Sequence, residues 1–398
     1  MPGPPLALQN LLGAYSSVDT ALIALNKKTG CGVLLIMQRR HFLKTAGLGA
    51  AGVAAAPFVS SAHAQETITW DMVTSWPKNF PALGTGANDF AARVEALSSG
   101  RMRIRVHGAG ELVPALEVFD AVSAGTAEMG HSASYYWRGK VAASQFFTAV
   151  PFGMNTQETN AWLYYGGGQE LWDEVYAKHN LKPFAVGNTT TQPGGWFKKE
   201  INSLGDLQGV KLRLPGLAGE AMNRIGVTTV TIAGGEIFTA MQTGSLDAAD
   251  WVSPYNDLAF GLHQVADYYY TSAWNEPSAV LEGTVNLDAW NALPDDLKAV
   301  VEEAARASNL SMISEFTYRN AQALDTLVNE HDVKLRSFPE DVMQALYKAS
   351  QEVILEQTES DADSKKVYDS YQAFQELVRP VTDNGEFTYL KNRERVGG

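Results

Sequence analysis

An arginine, two acids and an amide between Asn188 and Glu276 are the residues of this chain best suited to chemistry. They are Arg213, Asp250, Glu276 and Gln192, with Trp251 beside Asp250. The planar fork of an arginine matches a carboxylate through two parallel hydrogen bonds. Two acids converging on one point repel each other and call for a cation. Hard cations such as Na⁺ or Ca²⁺ take carboxylate, amide and main-chain oxygens as ligands. The set suits capture of a small carboxylate together with a metal ion. No nucleophile–base pair accompanies it, which favours binding over catalysis. Each residue also has a plainer account. Arg213 shares a strand face with Lys211, and such an arginine is more often exposed than functional. Asp250 and Glu276, taken singly, are surface acids by default. If Arg213 were buried it would need an anion, because an unpaired buried charge is costly.

Other motifs compete with this reading. Gly130-His131-Ser132-Ala133-Ser134 nearly matches the hydrolase elbow G-x-S-x-G, but Ser replaces the final Gly that permits the tight turn. A periplasmic hydrolase or dehydrogenase built on Ser132, His131 or His263 is therefore the rival from another class. The histidines show neither H-E-x-x-H nor close pairing, which argues against catalytic zinc. Gly47-Leu48-Gly49-Ala50-Ala51-Gly52 matches G-x-G-x-x-G, yet no strand precedes it and it lies in a segment that reads as cleaved. Tyr135-Tyr136-Trp137 and Tyr268-Tyr269-Tyr270 are aromatic runs. They suit core packing, or a pocket wall with a hydroxyl aimed inward.

The elements that must position these residues follow an α/β rhythm that occurs twice. Thr67 to Val73 alternates as a first strand, broken at Ser75-Trp76-Pro77. Asn88 to Leu97 has helical spacing and stops at Ser98-Ser99-Gly100. Met102 to Val106 reads as a strand, Val118 to Ala124 as a short helix and Glu128 to Ser132 as a third strand. This order predicts a largely parallel sheet. Residues 150–185 read as a connector. The second series runs through Phe184-Ala185-Val186, Gly195 to Lys198, the alternating Val210 to Leu214, a helix over Ala218 to Ile225, a strand over Val227 to Ile232 and a helix over Gly235 to Thr243. From Pro294 the pattern is helical. Apolar residues recur from Leu297 to Leu327, as one very long helix or two. Further helices are expected from Pro339 and from Ser364 to Leu377. The helical C-terminal third also admits an interaction scaffold as a third reading.

Bulk properties narrow the partners. Met37-Gln38-Arg39-Arg40-His41-Phe42-Leu43-Lys44, the small apolar run Thr45 to Phe58 and Ala62-His63-Ala64 have the three-part order of an export signal. The paired arginines resemble a twin-arginine signal, so a periplasmic location is expected, with Met37 as the start. Cleavage after Ala64 would remove Cys31, the only cysteine, and exclude disulfides and thiolate metal sites. It would also remove Lys27, Lys28, Arg39, Arg40, Lys44 and Asp19, making the net charge more negative than the −13 of the whole chain. Such a surface is a poor partner for nucleic acid, which needs a basic footprint. The acidic surface and amphipathic tail would suit a homodimer or a membrane partner. The mature part, about 330 residues, exceeds the usual size of one core, so two domains are expected.

Over nearly all of the mature part, the chain resembles the periplasmic substrate-binding subunits of tripartite ATP-independent periplasmic (TRAP) transporters, of the DctP type. Among them it is most similar to the 2-oxoacid receptors. The resemblance is carried by Gly110 to Pro114, Tyr135-Tyr136-Trp137, Trp162 with Tyr164 and Gly166-Gly167-Gly168, and Gly187-Asn188-Thr189. It continues through Gln192 to Phe197, Gly209 to Arg213, Ile232 to Ile237, Asp247 to Tyr255 and Tyr268 to Glu276. It implies an α/β, two-lobed periplasmic-binding-protein-like fold with a hinge, a long connecting helix and a helical C-terminal tail. Residues 1–64 would be an upstream extension plus signal peptide. Lobe I would comprise 65–190 and 277–318, lobe II 191–276 and 319–340, and the tail 341–398.

The resemblance also implies roles. Arg213 would pair with the substrate carboxylate, and Gln192 would orient substrate oxygens. Tyr135 or Tyr136 would reach in from the other lobe, with Asn188 also in the substrate set. The Asp250 carboxylate, the Trp251 main chain and the Glu276 carboxylate would hold Na⁺ or Ca²⁺, bridged to the substrate. The ligand would be a small 2-oxo monocarboxylate such as pyruvate, or a 2-hydroxy acid such as lactate, delivered to the transporter's membrane subunits. One position departs from the pattern. Asp250 stands where Glu is expected before the Trp, which leaves the choice of cation open.

Overall fold

The structure is a computed structural model that describes residues 67–271 and 273–397. The export signal, Cys31 and the G-x-G-x-x-G match lie outside the described residues. Two sheets organise the chain. The first has the order β2-β1-β3-β10-β4 and contains β1 (Ile68–Thr74), β2 (Met102–His107), β3 (Met129–Ser132), β4 (Leu181–Asn188) and β10 (Val280–Asn286). The second has the order β11-β9-β5-β8-β6-β7 and contains β5 (Gly195–Phe197), β6 (Lys211–Arg213), β7 (Thr228–Val230), β8 (Ala248–Ala249), β9 (Tyr268–Tyr270) and β11 (Lys334–Arg336).

In the first sheet β2, β1 and β3 run parallel, as the β-α-β rhythm predicts. The exception is β10, which returns from the second sheet and inserts antiparallel between β3 and β4. All seven of its residues are buried. A strand covered on both faces loses the alternation that marks a half-exposed one, so Val280–Asn286 carries no strand signature. The first helix begins at Leu83, five residues before the expected Asn88. Gly84 and Gly86 weaken helix propensity there, but close packing against backbone requires Gly84, whereas Gly86 faces only the flexible end of a side chain. A Cβ at Gly84 would lie 2.6 Å from the Pro77 carbonyl oxygen, and one at Gly86 would lie 2.5 Å from the Met312 methyl.

The expected connector at 150–185 instead holds two helices, Thr156–Tyr165 and Gly168–Ala177. A capping box starts the first. The Asn155 side chain accepts from the Gln157 and Glu158 amides, and Glu158 accepts from the Asn155 amide at 2.9 Å. Trp162, Trp172 and Tyr176 from these helices fill a core with Phe147.

The helical run after Pro294 is one helix, Asp295–Asn329, of 35 residues. Its first half buries Leu297, Val301 and Ala304 against the first sheet, with Phe90 and Phe184. Its second half buries Met312, Phe316 and Leu327 among residues of the second sheet, including Trp196 and Tyr269. One rigid rod therefore packs on both sheets. Two other connectors join them, residues 189–194 and 271–279. The last long helices, Glu340–Ser360 and Ala362–Thr382, place Val353, Ile354, Val367 and Tyr371 in the core around Trp162. Among the described residues no helix is long and apolar enough to cross a membrane.

Candidate functional site

The site forms where strand ends of the second sheet meet the turn after β3. Alternation places Lys211 and Arg213 on one face of β6, yet Lys211 is exposed and Arg213 is fully buried. The strand leaves solvent as it ends, so its last side chain enters the cleft. Arg213 donates from Nη1 to the Asp250 carbonyl at 2.8 Å and from Nη2 to the Tyr136 hydroxyl at 3.0 Å. Its Nε makes a longer contact of 3.4 Å to the Ile232 carbonyl. The Trp251 indole covers the guanidinium, 5.3 Å from its carbon to the ring centroid. Burial works against the positive charge, but the Tyr136 and Tyr135 hydroxyls and Asp250 outweigh it and hold the guanidinium charged.

Asp250 follows β8, and its amide donates to the Arg213 carbonyl at 2.9 Å. Glu276 lies on the connector between β9 and β10, where its carbonyl accepts from the Gln192 amide at 2.9 Å. Burial pushes both carboxyls above the usual carboxylate range; Arg213 pulls both back, while Asp257 raises Asp250 further and Asp250 raises Glu276 further. Tyr135 also lowers the pKa of Glu276. Asn275 Nδ2 donates to Asp250 Oδ1 at 3.2 Å, and Gln192 Nε2 donates to Thr189 Oγ1 at 2.7 Å.

What remains is a set of buried oxygens without protein partners: Asp250 Oδ2, Glu276 Oε2, Gln192 Oε1 and Asn275 Oδ1. Unsatisfied buried oxygens of this kind cost free energy unless an ion, proton or ligand meets them. Among the described residues no group of three or more His, Cys, Asp or Glu could hold a metal by itself. Two carboxylates, amide oxygens and main-chain carbonyls do fit a hard cation, whose coordination a ligand's oxygens would complete.

A void of about 10 Å³, near the size of one water, lies between Trp76, Tyr135, Tyr136, Gln192, Trp251 and the apolar Leu83, Val252 and Leu281. The two sheets are thus drawn together over the site. An ion pair between Arg138 and Glu220 spans the cleft mouth at 2.5 Å, and Leu217 of the second sheet's flank packs into the core around Trp137.

Of the residues singled out in the sequence, Gln192, Arg213, Tyr135, Tyr136, Asp250, Trp251 and Glu276 converge here. Asn188 does not join them. Its Nδ2 donates to Ser278 Oγ at 2.8 Å and its Oδ1 accepts from the Thr190 amide at 2.8 Å, so its amide holds the connectors in place. Trp76, Thr189 and Asn275 are site residues that the sequence reading missed. Trp76 stood out only as a strand breaker before Pro77, and Asn275 only as part of the stretch Tyr268 to Glu276.

The hydrolase elbow does not form. Ser132 Oγ is paired with Ser75 Oγ at 2.6 Å, and His131 Nδ1 accepts from the Trp76 indole at 2.6 Å. Burial drives the His131 imidazole down to about 3, so it stays neutral. His263 stacks on His331 at 4.1 Å and contacts neither.

Comparison with known proteins identifies the family of the chain. The model of the family DctP, bacterial extracellular solute-binding protein, family 7, matches residues 72–361. A monocarboxylate 2-oxoacid-binding periplasmic protein of Nostoc sp. is 42% identical over 360 residues, covering 89% of this chain and 98% of that protein. A TRAP periplasmic solute-binding protein of Pseudoalteromonas atlantica, solved with bound sodium and pyruvate, is 41% identical with a TM-score of 0.80, covering 82% of this chain and 99% of that one. A TRAP solute-binding protein of Bordetella bronchiseptica is 38% identical with a TM-score of 0.81, covering 83% of this chain and 98% of that one. It was solved as a mixed-occupancy dimer, with copurified calcium and picolinate in one site and the other site apo.

Proposed function

The chain belongs to the DctP family of extracellular solute-binding proteins, and we propose that it captures a small 2-oxo monocarboxylate through Arg213 and a bridging cation. It is the extracytoplasmic solute receptor of a TRAP transporter and not an enzyme. Its partners are a small carboxylate and the transporter's membrane subunits.

In this reading the Arg213 fork takes the ligand carboxylate. Na⁺ or Ca²⁺ sits against Asp250, the Trp251 main chain and Glu276, and Gln192 orients the ligand oxygens. Tyr135 and Tyr136 close from the first sheet. The observation that carries the proposal is the group of buried, partnerless oxygens on Asp250, Glu276 and Gln192 beside a buried, charged arginine. The acids need a cation and the arginine an anion. Pyruvate in the Pseudoalteromonas protein and picolinate in the Bordetella protein share one feature, a second donor atom next to a carboxylate. Such a ligand closes a chelate ring on the ion, which a simple fatty acid cannot do.

The division into lobes, 65–190 with 277–318 and 191–276 with 319–340, is supported by the two connectors at 189–194 and 271–279, which join one sheet to the other. The exposed Leu377, Val381 and Leu390 of the tail would suit a second copy of the chain, which light scattering would detect. Export by the twin-arginine route rests on Arg39-Arg40. Replacing both by lysine should trap the protein in the cytoplasm, and unchanged export would assign it to another route.

A thermal-shift screen tests the ligand class. Pyruvate with Na⁺ or Ca²⁺ at about 100 times its dissociation constant should stabilise the protein by about 2.7 kcal/mol. Propionate should give far less, and a chelator without sodium should abolish the pyruvate shift. Failure of every 2-oxo acid in the panel to shift the melting point would end the proposal.

A further inference from the structure

We infer that Glu282, which lies outside the ring of residues around the ligand, is the positioning residue that holds Tyr135 and Tyr136 in the cleft. The inference rests on the reading of the cleft as a 2-oxoacid site. Glu282 is fully buried in β10, paired across from Ser132 at the end of β3. The chain passes from Ser132 through Ala133 directly into a single turn, Ser134–Trp137. Pairing of β10 with β4 shifts register between Leu281 and Glu282. Irregularities of this type re-aim side chains and are frequent beside functional sites. Leu281 faces the void of the cleft, while the next residue sends its carboxylate to the turn.

That carboxylate accepts three hydrogen bonds. Oε2 takes one from Ser134 Oγ at 2.7 Å and one from the Tyr176 hydroxyl at 2.7 Å, and Oε1 takes one from the Trp137 indole N–H. Ser134 and Trp137 are the first and last residues of the turn. Tyr135 and Tyr136 are the two between them. One carboxylate thus grips both ends of a four-residue segment, and Tyr176 ties it to the helix Gly168–Ala177. The Tyr135 amide adds a tether to Thr148 Oγ1 at 3.2 Å. From this mount the Tyr136 hydroxyl meets Arg213 Nη2 at 3.0 Å on the opposite sheet, and Tyr135 lies near Glu276.

Packing alone does not call for an acid here. An apolar side chain of similar volume would fill the strand without desolvating a carboxylate, and such replacements are often neutral or stabilising. A fully satisfied polar network instead selects one geometry for the turn. The ligand needs that geometry, because a site loosened by about 1 Å loses function.

The test uses Glu282→Leu, Glu282→Gln, Tyr136→Phe and the double variants, each on the full mature chain at a temperature where circular dichroism shows it folded. Amide hydrogen exchange in the ligand-free protein reads the positioning directly. Exchange over residues 133–138 should rise about tenfold or more in Glu282→Leu while the β5 amides stay protected. Unchanged exchange at the turn overturns the inference. Calorimetry with pyruvate in sodium chloride reads the consequence. Glu282→Leu and Tyr136→Phe should each raise Kd about tenfold, and the double variant should be no more than about threefold weaker than the weaker single variant, since displacing the turn already takes the Tyr136 hydroxyl from Arg213. Kd within about threefold of wild type in Glu282→Leu, or an additive loss of about a hundredfold in the double variant, counts against it. Glu282→Gln keeps the volume and one acceptor, so its smaller changes, in the same direction and by the same criteria, decide the matter if Glu282→Leu does not fold. Wild-type protein that fails to bind pyruvate would refute the ligand assignment, and the exchange experiment would still judge Glu282.

Discussion

Replacing Arg213 by lysine separates charge from geometry. Lysine keeps the positive charge but cannot present two parallel donors to a carboxylate. In the structure the guanidinium also supports the site, donating at 2.8 Å to the Asp250 carbonyl and at 3.0 Å to the Tyr136 hydroxyl. Loss of one charge-assisted hydrogen bond to the ligand costs about 1.5–3 kcal/mol. That corresponds to a rise in Kd of about 10- to 150-fold. Leaving the buried Asp250 carbonyl without its donor costs a further 1–3 kcal/mol of stability, roughly, so the melting point should fall as well. Isothermal titration with pyruvate, at fixed sodium and well below that melting point, measures the first quantity free of the second. Arg213→Ala should bind more weakly again, because Asp250 and Glu276 then lose the positive charge that draws both down. A folded Arg213→Lys protein with pyruvate affinity within about threefold of wild type would remove the fork from the ligand site and refute the reasoning.

Three further changes probe other parts of the argument. Asp250→Asn should weaken pyruvate binding at least tenfold, roughly, and flatten its dependence on cation concentration, as titrations across a sodium series would reveal. Gly234→Ala should lower both stability and affinity, since its Cβ would meet the Trp251 ring at 2.2 Å and displace the indole from Arg213; overpacking of this type costs about 1–3 kcal/mol, measurable as a urea midpoint. His131 should destabilise the protein in acid. Its folded pKa, about 3, lies below the unfolded value near 6.5, so below that pH only the unfolded chain gains the proton. Stability should fall by about 1.4 kcal/mol per pH unit from roughly 6.5 towards 3 on its account. His131→Asn, which keeps an acceptor for Trp76, should show a shallower acid slope in urea midpoints; equal slopes would exclude His131 as the cause.

The sequence reveals elements where one face is wet and hides them where both are dry. β1 alternates and was legible, and so was the long helix after Pro294. β10 is buried on both faces and was not. The helices after Asn155 and Gly167 were overlooked although Asn155 and Glu158 spell a capping box. Strand alternation argued for an exposed Arg213 because Lys211 is exposed, but alternation cannot register that β6 ends inside a cleft. Chemistry drew together Arg213, Asp250 and Glu276, since each, if buried, would need what the others attract. The same reasoning could not reach Trp76, whose role depends on His131 arriving from another strand, nor see that Ser278 and Thr190 engage the Asn188 amide.

The charges make the ion more than an accessory. Arg213 offsets one of the two acids, and a bound monocarboxylate adds another negative charge to a site that already pushes its carboxyls towards protonation. Two like charges 4 Å apart repel by about 4 kcal/mol at the effective dielectric of a protein site. An organic anion could enter unaided only by leaving Asp250 or Glu276 protonated. A cation removes that conflict, and Ca²⁺ balances the group where Na⁺ leaves one negative charge. Ion and anion should therefore bind with strong positive coupling. Linkage requires the factor by which calcium tightens pyruvate to equal the factor by which pyruvate tightens calcium. Titrations in both orders at constant pH should return that common factor, about tenfold or more. A factor of one would place the ion away from the ligand, and Asp250 and Glu276 would then need another partner.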